Sequence, residues 1–345
     1  MASPRVSRPS FKTSDFRVVA SGLNSPEGPC YRPADGTVLV CEIGAGQLTR
    51  VHPATGAKEV VAKLGGGPNG CAIGPDGAVY VCNDGGFFFI DVPQKDGGTL
   101  HGAVSQPLDY VGGSIQRVAP DGTFKTLYSQ FSAINPVTKQ PQACPLRSPD
   151  DLVFDTTGSF WFTDWGKDRW RDRDITGVYY AKPDGSSIQE MIFPLRSPNG
   201  ILLSPDEKRL YVALTWDRKI LYWELDGPGK IKPNPNTVDG SYLLTAQIPY
   251  QAGLDSMSMD ELGNLYAISI VPQGWDANTR GGITVVSPAG EILEWIGIDL
   301  EQPDPLPSNI CFGGPDLRTA FVTMGGTGRL ISCQMAVPGK KPAFE

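Results

Sequence analysis

The chain has 345 residues and a net charge of −7, from 30 basic and 37 acidic residues with no basic block, which argues against nucleic acid or anionic membrane as a partner. Gly (41) and Pro (31) make up about a fifth of it and apolar residues 40%, the composition of a folded protein full of tight turns, not of a disordered one. No apolar run approaches the ~18 residues of a membrane span, and the seven cysteines, at 30, 41, 71, 82, 144, 311 and 333, form no CxxC pair, so neither a zinc site nor a disulfide framework is expected.

The first segment, MASPRVSRPSFKTSDF, has no apolar h-region. A secretory signal is not visible, residues 1–14 read as a tail, and a cytoplasmic location is the expectation, with most cysteines as small core residues. From Ser25 onward one pattern recurs: a Pro-containing entry, a short apolar run, an Asp-Gly-like turn and a second apolar run. It occurs as SPEGPCYRPADGTVLVCE, GPNGCAIGPDGAVYVCN, SPDDLVFDTTGSFWFTD, SPNGILLSPDEKRLYVA, LDSMSMDELGNLYAI and PSNICFGGPDLRTAFVT. Short β-branched and aromatic runs bounded by Gly, Asp and Pro are hairpin signals.

Each hairpin is followed by two more strand-like segments, GQLTRVHP and KEVVAKL in the first unit, GVYYAKP and IQEMIFPL in the third. Four strands per unit of roughly 40 to 65 residues describe a propeller blade. In the second unit the connection after the hairpin expands into an insertion, about residues 83–112, that is a candidate lid. The last unit ends in GRLISCQMAV with three strands, and DFRVVASGL (15–23) supplies the fourth, closing the ring without a free edge. The expectation is an all-β, six-bladed β-propeller with four-stranded blades, residues 1–345 forming one domain.

The polar residues of the repeat share a register. Eight residues before Gly77, Gly158, Glu207 and Gly263 stand Asn69, Asp150, Asn199 and Asp255; the first unit, one residue longer, offers Glu27, and the sixth Ser308 or Asn309. In a propeller the first strand of each blade lies nearest the axis, so these side chains should converge at one mouth of the channel. In any single repeat an Asx-turn explains the residue adequately; for all six at one register a converging site is the better reading. Oxygen donors without His or Cys suit a hard cation, Ca²⁺ above all, although Mg²⁺, Mn²⁺ and Zn²⁺ stay open and an ion that merely plugs the channel is an alternative.

The second strand of each hairpin returns to the same end, so Asn83, Asp84, Asp164, Trp165, Trp216, Trp275 and Met324 should border the mouth. Trp165, Trp216 and Trp275 are candidates for a ring-binding wall, though packing between blades suits each taken singly. Asn69 and Asn83 join them as substrate-binding candidates. His101, on the insertion, is a further substrate-binding candidate, although an exposed loop histidine is a plainer reading than a catalytic one. The charged run DWGKDRWRDRD (164–174) reads as solvated surface, with Arg169 and Arg171 placed to meet an acidic or polyhydroxylated substrate.

Together, SPEGP, SPDDLVFDTTGSFWFTD, SPNGILLSPDEKRLYVA and LDSMSMDELGNLYAI make the chain resemble the SMP-30/gluconolactonase family, which includes bacterial lactonases and diisopropyl-fluorophosphatase-like hydrolases. The likeness runs roughly from Phe16 to Val337. It implies a divalent ion, often calcium, at the axis and hydrolysis of a lactone such as a sugar lactone. By the resemblance Glu27, Asn199 and Asp255 are metal ligands, Asp150 stands where many members have Asn, and Ser256 matches a further ligand of some members. Asp151, the second residue of that pair, is a substrate-binding candidate.

Asp255 is the favoured general base by resemblance and Asp150 its rival. The expected partner is a small molecule, and the chain a monomer or small homo-oligomer. Three alternatives stay open: a phosphotriesterase-like or other ester hydrolase on the same centre, isomerisation or elimination there, and a non-catalytic interaction propeller, for which a ring of acids and amides at the axis would have no use.

Overall fold

The computed structural model describes residues 10–93, 98–271 and 280–345. Six sheets of four or five antiparallel strands stand around an axis as blades, and each begins with one of the six repeated hairpins. The innermost strands are Pro26–Arg32, Pro68–Ile73, Pro149–Phe154, Pro198–Leu203, Gly253–Met259 and Pro307–Gly313. The turn after each is set by one device: Asp35, Asp76, Asp155, Asp206, Asp260 and Asp316 each accept the backbone N–H two residues on, at 2.9–3.2 Å. The turn residue with positive φ is Gly in four blades, but Glu207 (φ 55°) in blade 4 and Leu317 (φ 54°) in blade 6.

The ring closes as expected. Strand Arg17–Ser21 pairs antiparallel with Arg329–Gln334, matching Arg17 to Ser332 and Ser21 to Arg329, so the last blade takes its outer strand from the other end of the chain. There is no single central core; instead six apolar clusters fill the six junctions between neighbouring blades. Cys41 and Cys71 sit in the junction of blades 1 and 2, and Cys82 in that of blades 2 and 3; all seven cysteines are free thiols. Among the described residues no helix is long and apolar enough to cross a membrane.

The inner strands carry the feature that positions the site. In every blade the pairing of the innermost strand with its neighbour slips by one residue just after the entry, for instance between Pro68 and Cys71, Pro149 and Leu152, and Pro198 and Ile201. This is a β-bulge repeated six times. A bulge breaks the strict alternation of side chains, and here it sends two successive residues toward the channel at different depths. Neighbouring bulges almost touch: a Cβ on Gly28 (φ +49°) would come within 2.3 Å of the Asn69 carbonyl oxygen, and one on Gly70 within 2.5 Å of that of Asp150. Glycine is required where two backbones approach so closely.

The insertion of blade 2 forms a hairpin, Phe88–Pro93 with Thr99–Ser105. The N–H of His101 donates to the carbonyl oxygen of Gly326 in blade 6 at 2.8 Å, and that of Gln106 to Asp168 beside blade 3 at 2.9 Å. The hairpin therefore reaches across the channel mouth. At the opposite end the C-terminal segment covers the channel, with Lys340, Pro342 and Phe344 facing Asp151, Met257 and Asn309.

Candidate active site

The first residue of each bulge reaches one cavity, of about 210 Å³, lined by Glu27, Asn69, Asp150, Asn199, Asp255 and Ser308. The ambiguity in blade 6 is thereby settled: Ser308 lines the cavity, whereas Asn309 donates from Nδ2 to Glu27 Oε2 at 2.9 Å. The walls are aromatic and aliphatic, with Phe87, Phe89, Trp165, Trp216, Ile270 and Leu306. His101 and Ala103 of the hairpin complete them. A larger groove of about 980 Å³ runs among the outer turns of blades 3 to 5, where Lys232 pairs with Glu224 at 2.9 Å and Glu207 accepts from the Thr156 N–H at 3.0 Å.

The electrostatics of the cavity are one-sided. Burial pushes the Asp150 carboxyl well above its ordinary range, and the charges of Asp255 and Glu27 push it further. Glu27 is likewise raised by burial and by Asp255, against the opposing hydrogen bonds from Asn309 and the Gly28 N–H. Asp255 is pushed up to about 7 by burial, which outweighs its bond from Asn199. Among the described residues no Lys or Arg lines the cavity, so the three buried carboxyls disfavour one another's ionisation without a basic side chain to offset them.

Two buried oxygens make the demand specific. Among the described residues Asn69 Oδ1 and Asp150 Oδ1 have no hydrogen-bond partner, so neither oxygen makes the Asx-turn that would explain its residue locally. Unpartnered buried oxygen is costly, and oxygens of this kind, carboxylate and amide together, are what Ca²⁺ takes as ligands. Among the described residues no three His, Cys, Asp or Glu side chains already form a tight metal cluster; the donors stand around a ring and include amides.

Supporting residues orient these groups. Asp84, fully buried, accepts from Asn69 Nδ2 at 3.3 Å and from Lys167 Nζ at 3.3 Å. Lys167, also fully buried, lies 3.4 Å from the centroid of the Phe87 ring. Burial lowers Lys167 and raises Asp84, and each offsets the other's shift. Ser256 is buried and donates to Asn199 Oδ1 at 3.4 Å; it fixes a ring residue and does not itself line the cavity. Trp165 is fixed by Nε1 donating to Thr215 Oγ1 at 3.0 Å and by the Arg173 guanidinium 4.4 Å over its ring. Neither Lys167 nor Arg173 stood out in the sequence: each lies in a run of charges that reads as surface.

Other candidates sit elsewhere. Asn83 accepts the N–H groups of Gly67 and Gly85 and donates to the Gly65 carbonyl and Gln116. It clamps the loop before its own blade's entry, as Asp164 does for Arg147 and Ser148. Asp151, the second bulge residue, faces the covered end of the channel and is pushed up to about 7 by burial. Arg169 is engaged with Asp172 and Asp174, and neither it nor Arg171 lines the cavity. Trp275 lies outside the described residues.

Residues 25–326 match the family described as SMP-30/Gluconolactonase/LRE-like region. The chain belongs to this family. Among curated relatives, a gluconolactonase of Zymomonas mobilis subsp. mobilis is 27% identical over 344 residues, covering 93% of this chain and 82% of the relative. Lactonase drp35 of Staphylococcus epidermidis is 28% identical over 291 residues, covering 83% and 72%. A solved calcium-binding protein of this fold, regucalcin from Agrobacterium tumefaciens, superposes with a TM-score of 0.66 at 16% identity, over 98% of this chain and 100% of its own. The match of this SMP-30/gluconolactonase-family chain thus spans most of the length of both relatives.

Proposed function

We propose that this protein is a hydrolase that opens lactones, and that Glu27, Asp150, Asn199 and Asp255 hold a divalent cation, Ca²⁺, in the cavity. The observation that carries the reading is the meeting of three mutually repelling carboxyls with the unpartnered Asn69 and Asp150 oxygens at one mouth. The relatives' names as gluconolactonase and lactonase, and the regucalcin neighbour's description as calcium-binding, support it. When bound, the ion neutralises the carboxylates and supplies Lewis-acid polarisation of a carbonyl.

The chain's own residues do the rest. Trp165, Trp216 and Phe89 enclose the body of the substrate and keep bulk water from the reacting carbonyl. Asp255 takes the proton of the attacking water; Asp150, across the same cavity, is the alternative base. Asn69 presents an oxygen that accepts from a hydroxyl of the substrate or from the water.

The test is elemental analysis of the purified protein together with turnover of γ- and δ-lactones before and after chelation. Stoichiometric calcium, and turnover that is abolished by chelation and restored by Ca²⁺, are expected. Undiminished turnover after verified metal removal would overturn the metal assignment. If Asp255→Asn keeps turnover while Asp150→Asn loses it, Asp150 is the base.

A further inference from the structure

We propose that His101, oriented by Asp91, is a catalytic residue: the general acid that protonates the ring oxygen as the lactone opens. The inference rests on the hydrolytic reading above and adds to it a proton donor that the carboxylate ring lacks. Ring opening releases an alkoxide, a strong base that leaves slowly unless it is protonated as the bond breaks.

The cavity offers few candidates for that proton. Among the described residues its titratable lining groups are Glu27, Asp150, Asp255 and His101. Carboxylates that hold a cation start the reaction ionised, and Asp255 acquires a proton only from the attacking water, so no carboxyl brings a proton of its own. Trp165 Nε1 is committed to Thr215, and the Ser308 hydroxyl to the Pro26 carbonyl at 2.8 Å. The imidazole is the lining side chain that can bring a separate proton to the ring oxygen and regain it from solvent. The chain's second histidine, His52, is exposed on an outer turn of blade 1.

The imidazole is held for this task. His101 stands opposite Asp91 on the hairpin, with Nδ1 2.6 Å from Asp91 Oδ1. Its ring stacks on Phe89, centroids 4.5 Å apart and planes 11° apart, and its backbone is tied to Gly326 across the mouth. With Nδ1–H donating to Asp91, the proton exchanged with substrate is the one on Nε2, which has no partner among the described residues. A side-chain exposure of 35% lets it recover that proton from solvent.

The step balances. Water oxygen bonds to the carbonyl carbon and its proton passes to Asp255. The carbon–ring-oxygen bond then breaks, its electron pair goes to the ring oxygen, and that oxygen takes the Nε2 proton. The product hydroxy acid ionises, Asp255 loses its proton to solvent, and His101 regains one. The net reaction consumes one water and releases one proton.

The experiment measures His101→Gln and Asp91→Asn, as full-length calcium-loaded proteins, on an aliphatic δ-lactone and on a 4-nitrophenyl ester whose leaving group needs no proton. For His101→Gln the expected loss of kcat is about 100-fold on the lactone and less than tenfold on the ester. Asp91→Asn follows the same pattern at smaller amplitude and shifts the pH profile on the lactone. Equal losses on both substrates would mean a displaced hairpin, and an unchanged lactone rate an idle histidine; either overturns the proposal. A wild-type protein that turns over neither substrate refutes the hydrolytic reading instead.

Discussion

The side-chain amide of Asn69 donates to Asp84 across 3.3 Å, and this bond turns its other end, Oδ1, into the cavity without a partner. Asp84 is itself steadied by Lys167, so a fully buried ion pair orients a neutral side chain of the cavity. Breaking one half of such a pair leaves the other charge buried and uncompensated. Lys167→Met should therefore cost about 3 kcal/mol of stability in urea unfolding. A loss below about 1 kcal/mol would show that Asp84 does not depend on it.

The carboxyl ring makes stability depend on metal and on pH in opposite senses. In chelated protein the folded-state values of Asp255 and Asp151 lie near 7, above the unfolded value of about 4. Between those limits the folded state binds more protons, so stability falls as pH rises from about 4 to 7 and then levels off. Saturating Ca²⁺ should raise the Tm at pH 7.5 and flatten that slope. Thermal unfolding at pH 5 and pH 7.5, with and without chelator, checks both; an apoprotein more stable at pH 7.5 contradicts the charge assignment.

Asn199 is buried, and its oxygen is fixed by Ser256. Replacing it with Leu keeps the branching at Cγ while removing the neutral oxygen. Calcium affinity measured by isothermal titration should fall by about 100-fold, the far-UV spectrum staying that of the parent. Unchanged affinity would return Asn199 to the role of a turn residue.

Trp216 is 37% exposed at the cavity rim and meets Trp165 edge-to-face at 6.4 Å. Trp216→Ala should raise KM for a lactone bearing an apolar ring by about tenfold, with a small effect on kcat and on unfolding. Loss in kcat alone would place Trp216 in the chemistry and not in binding.

Leu317 occupies, with φ 54°, a turn position that is Gly in four of the other blades. Its backbone conformation suits glycine, so Leu317→Gly should stabilise the protein by about 0.5–1 kcal/mol. Denaturant midpoints with an unchanged m-value check this; destabilisation would mean that the leucine side chain packs well enough to offset the strained φ.

Much of this protein is local and therefore legible along the chain. Alternation of apolar residues, an aspartate at every inner turn and a constant count from turn back to strand entry determine six hairpins and place Glu27, Asn69, Asp150, Asn199 and Asp255 at equivalent points. They also supply the closing strand at Arg17–Ser21. These are effects of near neighbours: an Asx-turn needs two residues and a hairpin about fifteen.

What only the tertiary structure decided concerns direction and long-range pairing. The bulge sends Asp150 to the mouth and Asp151 to the covered end of the channel, although they are adjacent in sequence. It also separates Ser308 from Asn309, a choice the turn spacing left open. Asn83 has the composition of a site residue and the hydrogen bonds of a loop clamp. Lys167 meets Asp84, 83 residues away, only because blades 2 and 3 are neighbours. His101 reaches the cavity because its hairpin is tied to blade 6. Side-chain direction after a bulge, and the meeting of residues from different blades, depend on how the ring closes, and no stretch of sequence contains that closure.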